Sequence, residues 1–311
     1  LAVYHLPKKI WLSAHLMNNL TMIVPVFNGM KFIDAFIQPF NRYEYSWDII
    51  FVDNGSDDGS LQYLEDICAQ NSAWQVLLFS DKQSSYAARN CGVSKSDGQI
   101  FLFTDIDCIL TESYFDFIRA GVFNEDSLIS GPTNIFLETH NIYEYFDQCT
   151  YLTQESYSKQ NYAATANLIV GRALYEKAGG FPEFTSGADN KFCKICLDKG
   201  GQLVFYSALL VLHPPRGSLR EHLVKAKRLG IGHGETYSDQ NMNVMDCILD
   251  VAKQSALIFV PIHSARLFLR VFRKRGWDII NLLKLLRLCI WVVTVQRINI
   301  IKTVVKLANR S

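Results

Sequence analysis

The sequence predicts an α/β protein in which a doubly wound, mainly parallel sheet with flanking helices is followed by a C-terminal helical region. Short apolar runs alternate with helical patterns along the N-terminal part of the chain, which is typical of a parallel sheet covered by helices. Each run is nearly continuous in apolar residues, as expected for strands buried on both faces. We expect an N-terminal extension over residues 1–19, the α/β domain over 20–216 and a basic amphipathic helical region over 217–311.

The first two strands and their helices follow one another closely. The run LTMIVPVFN predicts a buried strand that Pro25 breaks, and KFIDAFIQPF predicts a helix that ends at Pro39. Residues 48–52 predict the second strand, which leads into the turn cluster DNGSDDGS. Ser60 is the expected N-cap of the amphipathic helix SLQYLEDICAQN.

The alternation continues to the end of the predicted domain. QVLLFS predicts a third strand, SYAARNCGVSKS a helix that ends before an Asp-Gly turn, and QIFLFTDID a fourth strand. NLIVGRALYEKAGGF indicates a strand, a helix and a Gly-Gly turn, and SGADNKFCKICLDKGG a helix opened by Ser186 or Gly187. QLVFYSALLVLHPPR predicts one extended stretch that ends at His213, while residues 218–233 and 245–309 predict helices.

Polar side chains follow three of these strands where each strand ends: Asn28, the cluster 53–58, and Asp105 with Asp107. Ligands of such sheets bind beyond the carboxyl ends of the strands, so we expect these groups to converge on one site. Asp105 and Asp107 form a D-x-D, and ionising two adjacent carboxylates is costly unless a cation offsets their repulsion. Carboxylate oxygens suit Mg²⁺ or Mn²⁺; the alternative is ordinary turn and capping chemistry.

Three other residues have both a functional and an ordinary interpretation. Asp189 lies at a helix start, either as a first-turn acid or as a general base. His213 is either a satisfied histidine or a third metal ligand. Arg89 is either a solvated helix residue or a partner of phosphate or of the acidic pair. Neither a P-loop, a G-x-G-x-x-G after the first strand nor a G-x-S-x-G elbow is present in the sequence, which disfavours ATP hydrolysis and nicotinamide chemistry.

Five ordered segments resemble family 2 glycosyltransferases of bacterial type, which have the Rossmann-like GT-A fold. The resemblance covers residues 20–216 and implies an inverting enzyme that uses a nucleotide-diphospho-sugar with Mn²⁺ or Mg²⁺. The segments are TMIVPVFNG, IIFVDNGSDDGS, SYAARNCGV with GQIFLFTDIDC, GGFPEFTSGADNKFCKICLDKGG and VLHPPR.

The resemblance also implies a role for each matching residue. Asp107 would ligate the metal, Asp105 would touch the ribose, the metal or a metal-bound water, and His213 is a further candidate ligand. Asp189 would be the catalytic base. The donor would be bordered by Pro25, Phe27 and Asn28 at the nucleoside, Asp53 at the base, and Arg89 near the base and pyrophosphate.

Two positions depart from the family pattern. The family often has Asp-Asp after the second strand, whereas this chain has Asp53 and Asn54; an amide still binds a base, but it makes uridine less certain as the base. The family often has Glu-Asp before the acceptor helix, whereas this chain has Ala188 and Asp189, so a contact to the acceptor is lost or moved.

The C-terminal region is strongly basic. From residue 266 onward it holds eleven Lys or Arg and one acid, Asp278, in a chain whose net charge is only +1. This asymmetry indicates an anionic partner. The longest uncharged run, residues 288–296, is shorter than the roughly 20 residues that span a bilayer, so helices lying on an anionic membrane surface fit better. The alternative is a helical cap or an oligomer interface; nucleic acid is disfavoured because the region is too apolar.

The cysteines and the N-terminus favour a cytoplasmic location. Eight cysteines scattered through 311 residues are typical of a reduced protein, and the C-x-x-C of Cys193 and Cys196 is interpreted as structural. A signal peptide is not evident. We therefore expect a peripheral enzyme on the inner face of the cell membrane, with a UDP-sugar as the favoured donor and a lipid-linked or surface-polysaccharide glycan as acceptor. Residues 216–228 could bind lipid phosphates. Alternatives are an inactive GT-A binding module or a soluble protein-modifying glycosyltransferase.

Overall fold

The computed structural model describes residues 3–4, 19–43, 47–121, 123, 126–256 and 279–309. The chain divides into two compact units. The first holds the sheet and comprises Leu1–Asn134, Leu152–Glu183 and Ala188–Pro214. The second is helical and comprises Ile135–Tyr151, Phe184–Gly187 and Pro215–Ser311, so it includes two stretches from within the expected α/β domain.

Eight strands form the main sheet, in the order β1-β10-β7-β9-β5-β2-β3-β4. Within the described part of this sheet, β9 pairs antiparallel with both of its neighbours and the other pairings are parallel, as the buried apolar runs predict. The mainly parallel sheet is therefore confirmed. The strands are β1 (Val3–Tyr4), β2 (Leu20–Val26), β3 (Asp48–Asp53), β4 (Trp74–Leu78), β5 (Ile100–Phe103), β7 (Ser127–Ser130), β9 (Leu168–Gly171) and β10 (Gln202–Tyr206).

A second, three-stranded sheet has the order β6-β11-β8. Its strands are β6 (Ile109–Leu110), β8 (Thr133–Ile135) and β11 (Val211–His213). The extended stretch expected before His213 is therefore two strands in two sheets, because the chain turns between β10 and β11.

Helices of the first unit connect and cover these strands. They are α1 (Met30–Arg42), α2 (Ser60–Cys68), α3 (Ser85–Ser94), α4 (Glu112–Arg119), α6 (Gln154–Lys159), α7 (Arg172–Ala178) and α8 (Ala188–Asp198), with a 3₁₀ turn at Thr165–Asn167. The core they bury is rich in aromatic rings: Phe40 meets Trp47, Trp74 and Phe115 edge-on at centroid distances of 5.4–5.8 Å.

Two prolines do not end their elements as the sequence suggested. β2 continues through Pro25 to Val26, because β5 pairs with β2 only as far as Ile23 and the missing N–H lies beyond that pairing. α1 continues through Pro39 to Arg42. An interior proline costs a helix about 3 kcal/mol, and here the burial of Phe40 offsets that cost.

The expected N-cap of α2 was also wrong. Gly59, with φ 91°, precedes the helix and Ser60 is its first residue. The Ser60 hydroxyl instead accepts a hydrogen bond from the backbone N–H of Gly29 (3.0 Å) and donates one to Asp58 (2.5 Å). Ser60, which the sequence pattern predicts as an N-cap, thus links the loop after β2 to the loop after β3.

The second unit is built on α5 (Ile142–Thr150), α9 (Leu219–Asp239), α10 (Val244–Ala256) and α11 (Ile279–Ala308). Two buried apolar clusters join α11 to its neighbours, one around Leu288 and one around Ile300. Three glycines of α9 pack directly against the backbone of neighbouring segments. A Cβ at Gly230 or Gly234 would collide with α11, 2.8 Å from Asn299 Cβ or 2.6 Å from Thr303 Cβ, and one at Gly232 would collide with the backbone of the segment Phe184–Gly187.

One helix bears on the expected C-terminal region. α11 contains a stretch, Leu283–Ala308, that is long and apolar enough to cross a membrane by length and composition, although no uncharged run suggested it. Residues 257–278, which carry five of the basic residues, lie outside the described residues. Arg216, expected to bind phosphate, instead pairs with the buried Asp147 at 3.0 Å, whereas Arg220, Lys227 and Arg228 are exposed.

Candidate functional site

Polar groups converge at the carboxyl edge of three adjacent strands. β2 lies between β3 and β5, so the segments that follow these strands are neighbours. The register pairs Val26 with Asp53, and Ile23 with Phe103, two residues before Asp105. The predicted convergence of these segments thus follows directly from the order of the strands.

The segments after β2 and β3 are held together by hydrogen bonds around Asn28. Its backbone is left-handed (φ 51°), and its N–H donates to Ser56 Oγ (2.9 Å) while its Oδ1 accepts from the Asp57 N–H (3.0 Å). Asn tolerates this conformation because its short side chain bonds locally. Pro25 lies buried in the strand, whereas Phe27 is 48% exposed at the rim. The result is a rigid rim with one exposed aromatic face.

Asp53 and Asn54 differ in which of their side-chain polar atoms are already hydrogen-bonded. Asp53 is fully buried, and its Oδ1 accepts from the N–H groups of Gly55 (3.0 Å) and Ser56 (2.9 Å). Its Oδ2 is buried and has no hydrogen-bond partner among the described residues. The Asn54 amide donates to the carbonyls of Phe79 and Lys82, both at 2.8 Å, so its donors hold a loop. This structural role was missed, and it explains why a carboxylate would not serve at position 54.

Asp105, Asp107 and Cys108 form a cluster whose ligand atoms lie within 4.8 Å of one another. His213 joins it because β11 pairs antiparallel with β6, which begins just after Cys108. His213 Nε2 lies 3.5 Å from Asp107 Oδ2, while its Nδ1 lies 2.6 Å from the carbonyl of Pro214. Nδ1 must donate to that carbonyl, which leaves Nε2 with a lone pair when the ring is neutral.

This donor set fits a divalent cation. Asp107 Oδ1 is buried without a hydrogen-bond partner among the described residues, and a cation would satisfy both it and the His213 lone pair. Burial raises the pKa of the Cys108 thiol well above its ordinary value, and the two nearby carboxylates raise it further. The thiol therefore stays protonated. The remaining ligand atoms are the carboxylate oxygens of Asp105 and Asp107 and Nε2 of His213, a set that suits Mg²⁺ or Mn²⁺.

Arg89 is 1% exposed, pairs with Asp105 of the acidic cluster, and its charge lowers the pKa of Asp189 at the start of α8. Its guanidinium donates to Asp105 Oδ1 and to the carbonyls of Ser85 (3.3 Å) and Thr104 (3.4 Å). Of its two functional interpretations, the contacts present are those of a residue that holds an acid of the D-x-D. A buried arginine paired in this way fixes the Asp105 carboxylate in place.

Asp189 lies in the first turn of α8 and is partly exposed. Burial raises the pKa of its carboxyl above the ordinary value. Opposing this, it accepts hydrogen bonds from the Asn190 N–H, Tyr86 and the Thr165 backbone, and the Arg89 charge also lowers the pKa. A carboxylate with a raised pKa, held in place by several donors, can accept a proton from a hydroxyl.

Tyr86 was not identified from the sequence. It lies one turn before Arg89 on α3, with the guanidinium 5.8 Å from its ring centroid, and it connects the acidic cluster to Asp189. The i, i+3 spacing of Tyr86 and Arg89 in SYAARN was the available signal. The eight cysteines, all within the described residues, are free thiols, and Cys193 and Cys196 are fully buried, in line with the structural interpretation.

Comparison with known proteins identifies the family. The model of glycosyl transferase family 2 matches residues 21–118. The glycosyltransferase AglE of Haloferax volcanii is 32% identical over 227 residues, which is 68% of this chain and 72% of that protein. The glycosyltransferase GlyG of Streptococcus pneumoniae is 26% identical over 35% of this chain and 36% of its own length.

Two solved structures have a similar fold. The mannosyltransferase PcManGT of Pyrobaculum calidifontis, solved with GDP-Man and Mn²⁺, has a TM-score of 0.57 and 13% identity over 90% of this chain and 86% of its own. S. aureus TarS 1–349, solved with UDP-GlcNAc, has a TM-score of 0.51 and 15% identity over 68% of this chain and 66% of its own. The chain therefore belongs to glycosyltransferase family 2, and it is a transferase with the GT-A fold that the sequence resemblance implied.

Proposed function

We propose that the protein transfers a sugar, with inversion, from a nucleotide-diphospho-sugar to a hydroxyl acceptor in a metal-dependent reaction. The observation that carries the proposal is the chain of contacts from Asp107 and Asp105 through Arg89 and Tyr86 to Asp189. It joins a candidate metal site to a candidate base within one unit.

The donor nucleoside would lie at the rim formed by Pro25, Phe27 and Asn28, with its base at Asp53. The free Oδ2 of Asp53 can accept a hydrogen bond but cannot donate one when ionised. Uracil, thymine and guanine each offer a ring N–H, whereas adenine and cytosine do not. A UDP-sugar is our favoured donor; UDP-GlcNAc and GDP-Man are the nucleotide sugars named with the two similar structures.

A Mn²⁺ or Mg²⁺ ion held by Asp105, Asp107 and His213 would neutralise charge on the departing diphosphate. Asp189 would take the proton from the acceptor hydroxyl as its oxygen bonds to the anomeric carbon. The bond from that carbon to the diphosphate oxygen breaks, and the nucleoside diphosphate leaves with the electron pair. With the base on the face opposite the leaving group, a single displacement would invert the anomeric carbon. Arg89 would hold Asp105 throughout.

The acceptor would be a lipid-linked or surface-polysaccharide glycan, reached at the cytoplasmic face of the cell membrane. On α11, apolar side chains such as Leu286, Ile290 and Trp291 are exposed beside the exposed Lys284 and Arg287. Apolar contact combined with basic side chains favours an anionic lipid surface. The length of α11 makes a spanning helix the competing outcome.

The test is a panel of UDP-, dTDP-, GDP- and ADP-sugars, measured by thermal shift and by donor hydrolysis, with Mn²⁺ and with a chelator. We expect binding and hydrolysis with a donor whose base carries a ring N–H, and loss of hydrolysis on chelation. Equal hydrolysis without metal would overturn the metal assignment, and binding confined to the ADP-sugar would overturn the role of Asp53.

A further inference from the structure

A short segment of the first unit, residues 152–162, has left-handed backbone near both ends. Leu152 has φ 54° and Asn161 has φ 63°, on either side of α6. Non-glycine residues seldom adopt this region, and such strain persists only where the surroundings enforce it.

Hydrogen bonds fasten the segment to its surroundings. The amide of the buried Gln154 donates to the carbonyl of Ala164 (3.0 Å), and its oxygen accepts from the Ala164 N–H (2.9 Å). On α8, Cys193 Sγ donates to the carbonyl of Ala163 (3.7 Å). The segment is therefore fixed against the helix whose first turn carries Asp189.

Two tyrosines of this segment stack face to face. The rings of Tyr157 and Tyr162 have centroids 4.7 Å apart and planes 21° apart. Both residues are half-buried, unlike the buried rings around Phe40, which meet it edge-on. Tyr162 directly precedes Ala163, whose carbonyl accepts the hydrogen bond from Cys193, one turn after Asp189 on α8. Burial raises the pKa of both tyrosines, and the Asp189 charge raises it further.

We propose that Tyr157 and Tyr162 form an acceptor platform on which a pyranose ring stacks while its hydroxyl reaches Asp189. A pyranose offers an apolar C–H face that suits the flat face of an aromatic ring. A serine side chain or an aliphatic alcohol offers no such face. The inference rests on the proposed transfer reaction and adds the two residues that would hold the acceptor sugar.

The test uses methyl hexopyranosides as acceptor probes, with aliphatic alcohols and a serine peptide for comparison. Tyr157→Ala and Tyr162→Ala should each raise the KM for the pyranoside about tenfold, as expected for one lost stacking contact, while Tyr→Phe at either position stays near the parent. Metal-dependent donor hydrolysis should be unchanged in all four. Tyr63→Ala, which removes a tyrosine from α2 in the same unit, is the matched control.

The outcomes separate the two proposals. An unchanged pyranoside KM in the Ala variants, equal losses in the Phe and Ala variants, or transfer to alcohols or peptide but not to pyranosides would each overturn the platform. Absence of donor hydrolysis in the parent would overturn the proposed function instead. If an Ala variant fails to fold by near-UV circular dichroism, Tyr→Leu, which keeps bulk but has no flat face, should give the same rise in KM.

Discussion

Replacing Asp189 by Asn should separate catalysis from stability. The amide keeps the size of the side chain but cannot accept a proton from a hydroxyl. Removing a positioned general base lowers turnover by about 10² to 10⁴-fold. The affinity for the nucleotide sugar should be unchanged, because Asp189 would act on the acceptor and not on the donor.

The stability effect follows from the raised pKa of Asp189. Its native pKa exceeds its unfolded pKa, so between the two values the native state binds more protons and stability falls as pH rises. At neutral pH the ionised carboxylate therefore disfavours the native state. Asp189→Asn removes that cost and should raise the melting temperature at neutral pH. The gain should disappear below the unfolded pKa, where both side chains are neutral.

The assay combines initial transfer rates, donor titration and thermal melts across the acid-to-neutral range. In the parent, the acid limb of the rate profile should lie above the ordinary carboxyl range, because only the ionised form accepts a proton. Near-parental turnover of Asp189→Asn would show that the base lies elsewhere. A lower melting temperature at neutral pH would show that the carboxylate stabilises the fold, contrary to the burial argument.

Three further predictions concern the metal site, the loop and the tail. Asp107→Ala should abolish metal-dependent donor binding while the fold survives, and Asp116→Ala, on the surface of α4, should bind as the parent does; retained binding would refute the metal assignment. Asn54→Asp should lower the unfolding free energy by about 2 kcal/mol or more in urea titrations, since a carboxylate would face two carbonyls, and an unchanged midpoint would refute this. Liposome co-sedimentation should rise with anionic lipid and fall with salt, and Lys302→Gln with Lys306→Gln should weaken it by about 1 kcal/mol per charge. Equal binding to neutral vesicles would indicate insertion into the bilayer. Absence of binding to any vesicle would indicate that the tail is a protein interface.

Strands β1 and β7 were not predicted, since β1 has only two residues and β7 (SLIS) only two apolar ones. The other six strands of the main sheet could be predicted because each contains a run of apolar residues. The direction of β9 could not, since an apolar run carries no sign of orientation. The effects of Pro25 and Pro39 were misjudged because distant segments determine whether the strand or helix continues. For Pro25, the pairing of β5 with β2 has already ended; for Pro39, Phe40 packs against aromatic rings far away in the sequence. Ser60 was misjudged as the N-cap of α2 because its hydroxyl bonds to the backbone N–H of Gly29, 31 residues earlier in the chain.

The acidic residues of the candidate site could be predicted from the sequence, but the contacts that hold them in place could not. Asp105 and Asp107 are visible in the sequence as a D-x-D after an apolar run. Asp189 is one of several first-turn acids, and the family resemblance singled it out. Tyr86 and the loop-holding role of Asn54 were missed because their neighbours come from distant segments, near Asp189 and at residues 79–82. The roles of all these residues remain predictions until the variants above are measured.

The three glycines of α9 limit how the enzyme can be shortened. Each glycine weakens an isolated helix by about 1 kcal/mol relative to alanine, so α9 is a poor helix alone and depends on its neighbours. Removing residues from 279 onward, an obvious step to improve solubility, would strip α11 from Gly230 and Gly234 and expose bare backbone to water. Such a truncation should melt the second unit and, with it, the segment Phe184–Gly187 that leads into α8. Solubility is better sought by changing exposed apolar side chains of α11, such as Ile290, and keeping the helix whole.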